Sequence, residues 1–433
     1  MTSTRSTAPE TLCDEHTSAR TIYFVLSGVM LAGCILLVGC DTPTATFTPN
    51  AIYAKRMELE SGDPIEDTAA DVELIIAEKF GTPDEPLWPE SLEGDQEPLV
   101  SLENLKRAAG AISSDEADIH YGLYRKHCVL CHGQSGGGRG PTAKLLNPYP
   151  RDFRPGRFKY KSTALGIKPR KTDLIRTLLN GIPGTSMPGF HLLSQTDENN
   201  DIEALVDYVI YLSVRGESER KLLTEASLNL DYDSGDRLIE WDALEIDPEM
   251  VAAQEADVQA IIDRTIAAWR KAQNVPVTSD AVPEGQVVFG DASADETLLA
   301  TSITNGKELF QSPSVGCSKC HGIDGSGEGV AADYDFWTKD WTYQAGLDPE
   351  DSESIAPMLE LGAFKPRKSP PRNLTKGAFR GGGRPIDIYH RIVHGIEGTP
   401  MPAAALKPDN PQGLSESEIW DLVNFVLSIG EQS

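Results

Sequence analysis

The hexapeptides "CVLCHG" at Cys128–Gly133 and "CSKCHG" at Cys317–Gly322 constrain this 433-residue chain more than any other feature. The pattern Cys-x-x-Cys-His reads as covalent attachment of a c-type haem. Two thiols at that spacing can form thioethers with the two vinyl groups of one porphyrin, and the adjacent His then lies under the iron as proximal ligand. The competing readings are a structural disulfide, a redox dithiol and half of a zinc site. Zinc needs further ligands close by; only His120 and His127 stand near the first motif and none near the second. A redox dithiol does not call for His directly after the second Cys, twice. Cys128, Cys131, Cys317 and Cys320 are therefore expected to hold two covalently bound haem c groups, with His132 and His321 as proximal iron ligands.

The rest of the chain repeats in step with the motif. "PRDFRPGRF" (Pro150–Phe158) follows the first signature and "PRNLTKGAF" (Pro371–Phe379) the second. "DLIRTLLNGIPGTSMPGF" (Asp173–Phe190) is echoed by "DIYHRIVHGIEGTPMPAA" (Asp387–Ala404), and Asp173 to Met187 is the same distance as Asp387 to Met401. Ile202, Leu205, Val206 and Val209 form an i, i+3, i+4, i+7 stripe, matched by Ile419, Leu422, Val423 and Val426. Such stripes mark the core face of a helix. "SSDEADIHYGLYRKH" and "TNGKELFQS" predict a helix before each signature. A whole domain has been duplicated.

Signature, loops, Met-Pro and closing helix together resemble a class I cytochrome c, and the chain resembles a tandem dihaem cytochrome c of bacterial respiratory chains. The resemblance covers Asp115–Val214 and Thr301–Gly430, about half the chain. It implies a mainly α fold: two class I cytochrome c domains, each a small helical fold around one covalent haem, joined by a partly helical acidic linker. The expected organisation is a signal, lipoprotein or membrane-anchor segment (1–40), a tether and small pre-domain (41–114), cytochrome c domain 1 (115–214), an acidic linker with a helix (215–300) and cytochrome c domain 2 (301–433). The second half departs from the pattern by an insertion at 331–361, which puts one wall of its haem pocket in doubt.

Met187 and Met401, each in Gly-Thr-x-Met-Pro, are the expected sixth ligands. A thioether is a soft neutral ligand that favours the reduced iron, and the following Pro keeps each Met extended. Core filling is the alternative for a methionine, but two Met-Pro pairs at equivalent positions argue against it. His127, His191, His390 and His394 are weaker rivals; His390 and His394 align with Arg176 and Asn180, so the first half has no histidine at either place.

The formal net charge is −27, yet the segments between signature and Met are basic. Arg139–Arg176 holds eleven Lys or Arg and two acids, and Lys365–Arg391 eight and one. Haem propionates are partly buried anions, and burying unpaired charge is costly. Arg151 and Arg372, in the paired Pro-Arg, are the candidates to bind them, since the guanidinium fork suits carboxylates. The other cations read as a solvated basic face or a docking face for acids. Glu217–Glu296 supplies nineteen acids against six bases, and within it "DPEMVAAQEADVQAIIDRTIAAWRKA" predicts a helix capped by Asp247 with Pro248 first.

The remaining cysteines are Cys13, Cys34 and Cys40. An apolar run from Ile22 to Gly39 reads as a signal core or a short membrane span. "LVGC" ending at Cys40 resembles the bacterial lipobox and is followed by polar, Pro-bearing chain, which makes Cys40 a better lipidation site than Cys34. The bulk is then periplasm-facing and membrane-anchored through an N-terminal lipid or helix. The expected function is a dihaem carrier of single electrons, working with redox partners such as a quinol-oxidising complex, a terminal oxidase or reductase, or a soluble cytochrome or cupredoxin. A dihaem cytochrome c peroxidase, or the cytochrome subunit of a periplasmic dehydrogenase, is the alternative. The runs "GGGRG" and "RGGGR" lack the strand–turn–helix setting of a nucleotide site, and an exported chain of this charge is not expected to bind nucleic acid.

Overall fold

The computed structural model describes residues 45–92, 96–117, 119–194, 200–275, 282–329 and 333–430. Cys40 and the apolar run before it lie outside these residues. Among the described residues no helix is long and apolar enough to cross a membrane.

Helices dominate. Ahead of and around the first signature are α1 (Ala51–Ser61), α2 (Glu66–Phe80), α3 (Leu102–Ala108), the antiparallel pair β1 (Ser113–Ser114) and β2 (His120–Tyr121), α4 (Leu123–His127), α5 (Val129–His132), α6 (Lys171–Asn180), α7 (Asp201–Asn229) and α8 (Pro248–Gln273). Around the second are α9 (Glu296–Gln311), α10 (Cys317–His321), β3 (Asp333–Tyr334), α11 (Phe336–Lys339), α12 (Ala356–Glu360), β4 (Lys368–Ser369, antiparallel to β3), α13 (Pro385–His394) and α14 (Glu416–Gly430).

The first half is built on α7. Its predicted stripe lies in the core, but from Ala204 to Arg215 the helix is buried on every side. The reason is that α1, α2 and α3 cover one flank while α6 and α8 cover another. The polar groups of α7 are buried with partners, as burial demands. Asp201 pairs with Arg107. Asp207 accepts from the Ser101 N–H at 3.0 Å, Asn104 Nδ2 at 2.8 Å and Lys171 Nζ at 2.6 Å. Glu217 accepts from the Trp269 indole at 2.7 Å and pairs with Lys168.

These contacts redraw two expected boundaries. Residues 41–114 are more than a tether, because α1 to α3 share one core with the first signature through Phe47, Ile75, Phe80 and Leu105. Residues 215–300 are more than a linker: α7 runs on to Asn229, and Val258, Ile262, Ile266 and Trp269 of α8 enter the same core. Asp247 caps α8, accepting from the Met250 N–H at 3.0 Å, with Pro248 in its first turn.

The helix predicted before the first signature is shortened to α4. The Asp115 carboxylate takes the Ala117 and Ile119 N–H groups, both at 2.9 Å, and bends Asp115–Ile119 into a turn. Gly122 then sits at φ +70, where a Cβ would meet the Ala111 carbonyl oxygen at 2.5 Å. In the second half the predicted helix is full length. There α9 crosses α14 so closely that a Cβ on Gly306 would lie 1.9 Å from the Asp421 carbonyl oxygen. Phe310 and Phe425 meet across the crossing at 5.1 Å.

Among the described residues, the insertion lines no part of the cavity beside the second signature. It reaches over to the first half. Trp341, Ala345, Ile355 and Met358 form a small core with Ile52 of α1. Asp340 takes Arg56 Nη1 at 2.8 Å and both terminal nitrogens of Arg220 at 2.8 Å.

Candidate functional site

In α5 the N–H groups of Cys131 and His132 both go to the Cys128 carbonyl, at 3.2 and 2.9 Å, so one helical turn sets the two thiols and the imidazole. The loop that follows must pass close beneath this turn. A Cβ on Gly140 would lie 2.3 Å from the Leu130 carbonyl oxygen, and one on Gly329 would lie 2.2 Å from that of Cys320. The glycines of "GGGRG" therefore serve backbone approach. None of the four signature cysteines is in a disulfide. Burial pushes Cys128 up to about 12 and Cys317 to about 11. A redox dithiol needs the opposite shift in its attacking sulfur.

Each signature histidine is oriented by a main-chain carbonyl. His132 Nδ1 is 2.9 Å from the Arg151 oxygen, and His321 Nδ1 is 3.2 Å from the Arg372 oxygen. A carbonyl only accepts, so Nδ1 carries the proton and Nε2 keeps its lone pair for a metal. Burial drives His132 down to about 4, despite its hydrogen bond to the Arg151 carbonyl, and lowers His321 as well. Both imidazoles are thus neutral and ligand-ready. Phe153 stacks on His132 at 4.6 Å and fixes its plane.

Cys128, Cys131, His132 and Met187 line one cavity of about 180 Å³, with Phe153, Leu174, Leu178 and Val209. Cys317, Cys320, His321 and Met401 line another of about 660 Å³, with Leu309, Ile392 and Leu422. Sequence positions 55 residues apart in the first half and 80 in the second are so brought to one cavity each. The two methionine loops are built alike. The Ile182 N–H reaches the Met187 carbonyl at 3.1 Å, and Thr185 Oγ1 accepts from the Met187 N–H at 3.1 Å while donating to the Ile182 carbonyl at 2.8 Å. Ile396, Thr399 and Met401 repeat this at 3.1, 3.2 and 2.8 Å. The role of the threonines was missed in the sequence, although each stands two residues before its Met.

Of the rival ligands, His127 borders the first cavity, edge-on to Phe190 at 5.7 Å. His191, His390 and His394 line neither cavity. The Arg151 guanidinium lies over the Trp337 ring at 3.2 Å, and Arg372 Nε is buried without a hydrogen-bond partner, as is Arg380 Nε. Much of the first basic segment is not a solvated face. It docks acids of this chain: Arg154 on Asp152, Lys168 on Glu217, Lys159 on Asp335 and Arg157 on Glu397.

The residues present fit a haem c in each cavity. Paired thiols and a neutral imidazole stand on one turn, a thioether lines the same apolar space, and orphaned guanidinium nitrogens border it. Such a group supplies a one-electron iron couple; the protein supplies ligands, burial and orientation.

That donor set on helices defines a cytochrome c, an electron carrier, twice over. Residues 115–209 match the family described as cytochrome c oxidase, cbb3-type, subunit III, and residues 303–430 match the family described as cytochrome c. The chain carries two cytochrome c domains in tandem. No curated protein matches it. A chain of the Kuenenia stuttgartiensis reducing HAO-like protein complex is similar at 22% identity, covering 71% of this chain and 94% of that one, with a TM-score of 0.42.

Proposed function

We propose that the protein holds two covalent haems and passes single electrons between a respiratory donor and a terminal oxidase or reductase at the outer face of a membrane, held there through Cys40. Cys128, Cys131, His132 and Met187 serve the first haem, and Cys317, Cys320, His321 and Met401 the second. Arg151 and Arg372 bind propionates. The observation that carries this reading is the pair of identical methionine loops, each lining the cavity of an oriented histidine. A site that must bind and cleave peroxide needs an open sixth position; a loop hydrogen-bonded to present one thioether closes it. A quinol-oxidising complex, a soluble cytochrome or a cupredoxin is a suitable donor or acceptor.

Expression with haem-maturation machinery tests this. The protein should be recovered from membranes with two covalent haems, both low-spin when oxidised, with a methionine-to-iron charge-transfer band. Cys40→Ser should release it from the membrane, and the double variant Cys128→Ala, Cys131→Ala should keep one haem. One haem in the parent, or a high-spin haem that turns over peroxide, would sink the carrier reading.

A further inference from the structure

Arg380 belongs to the second half, yet it lines the first haem cavity as well as its own. Lys159 and Tyr160 belong to the first half, yet they line the second haem cavity as well as their own. The exchange is held in place on both sides. Arg380 Nη2 donates to the carbonyl of Gly184, in the Met187 loop, at 3.3 Å, and the Arg380 carbonyl accepts from Arg391 Nη1 at 2.7 Å. Gly381 lies so flat on the Tyr160 ring that a Cβ there would come within 2.4 Å of it.

The seam is short of negative charge. Arg151, Arg372 and Arg380 make no ion pair with a carboxylate among the described residues, and the nearest acids are taken, Asp152 by Arg154 and Asp335 by Lys159. Arg372 Nε and Arg380 Nε are buried with no hydrogen-bond partner among the described residues. A buried charge without a counter-charge is costly. Each haem brings carboxylates of its own, and guanidinium groups suit them.

We propose that the two haems share one cationic seam, in which Arg380 serves the carboxylates of the first haem and Lys159 with Tyr160 those of the second, so that each half tunes the iron of the other. This rests on the haem reading above. A cation near both irons favours the reduced state of both, since it repels the positive charge that each iron gains when its electron leaves. Its removal lowers both potentials.

Spectroelectrochemical titration of the full, haem-loaded chain tests the seam. Arg380→Gln should lower the potentials of both haems, and so should Lys159→Met, made from the opposite side in case either variant misfolds. Lys307→Gln, an exposed charge on α9, should move neither. A two-haem protein in which Arg380→Gln moves only the second haem, or neither, overturns the shared seam and leaves the carrier reading standing. A parent with fewer than two haems overturns that reading itself.

Discussion

Thr185 and Thr399 do work that no iron ligand reveals. Each hydroxyl accepts from the N–H of its methionine and donates to an isoleucine carbonyl, closing the loop on itself. Two such bonds contribute about 1–3 kcal/mol together. Thr185→Val keeps the side-chain shape and loses both. It should weaken the methionine charge-transfer band of the first haem, speed cyanide binding there and leave the second haem unchanged. Stopped-flow cyanide binding checks this; equal rates at both haems before and after would contradict it. At this scale the residues that share each cavity were legible because their chemistry is rare: thiols, imidazole and thioether recur in register. The carbonyls of Arg151 and Arg372 were not, because every residue has one. The repeat of Pro-Arg marked these residues for their guanidinium groups and left the role of their carbonyls unseen.

Elements were legible where apolar periodicity coincided with burial on one face, as in α8 and α9. They were misread where it did not. The stripe on α7 announces one buried face, but Tyr208 and Tyr211 are buried too, on other sides. Those faces require cover, and α1 and α3 supply it from a Pro-rich stretch with little periodicity of its own. A tether was therefore expected where part of a core stands. The crossing of α9 and α14 offers a direct test. Gly306→Ala forces a methyl into the Asp421 backbone, and such overpacking costs typically about 1–3 kcal/mol. Urea unfolding followed at each haem should show the second domain melting earlier and the first unmoved. An unchanged second transition would mean that the two helices slide apart freely.

For the whole molecule, the net charge of −27 conceals a cationic interior seam, and acids on its margin set its pH range. Burial alone would raise Asp387, but Arg384, Arg176 and Arg391 bring it below the usual carboxylate value of 3.8. Burial likewise raises Asp152, and Arg154 with Arg139 more than reverses this. A carboxylate whose pKa is depressed on folding adds stability in full above its unfolded value, and that stability is lost as pH falls through the folded one. The stability from Asp152 within the first half, and from Asp387 with its cross-contact to Arg176, should thus be held at neutral pH and down to about 4, and the structure should loosen below. Limited proteolysis across pH 3–7 would show it; opening near pH 6 would contradict the assignment. The sequence displayed the two basic segments openly. Which acids meet them was hidden, because Glu217, Asp335 and Glu397 are ordinary residues until the fold gathers them.

Arg380 closing the first cavity also imposes an order in time. On the haem reading, a porphyrin joined to Cys128 and Cys131 stands beside a gap until residue 380, roughly 250 positions further along the chain, has folded against it. The early half is then a workpiece without its lid, open to the enzymes that install its cofactor, and the late half is what shuts it.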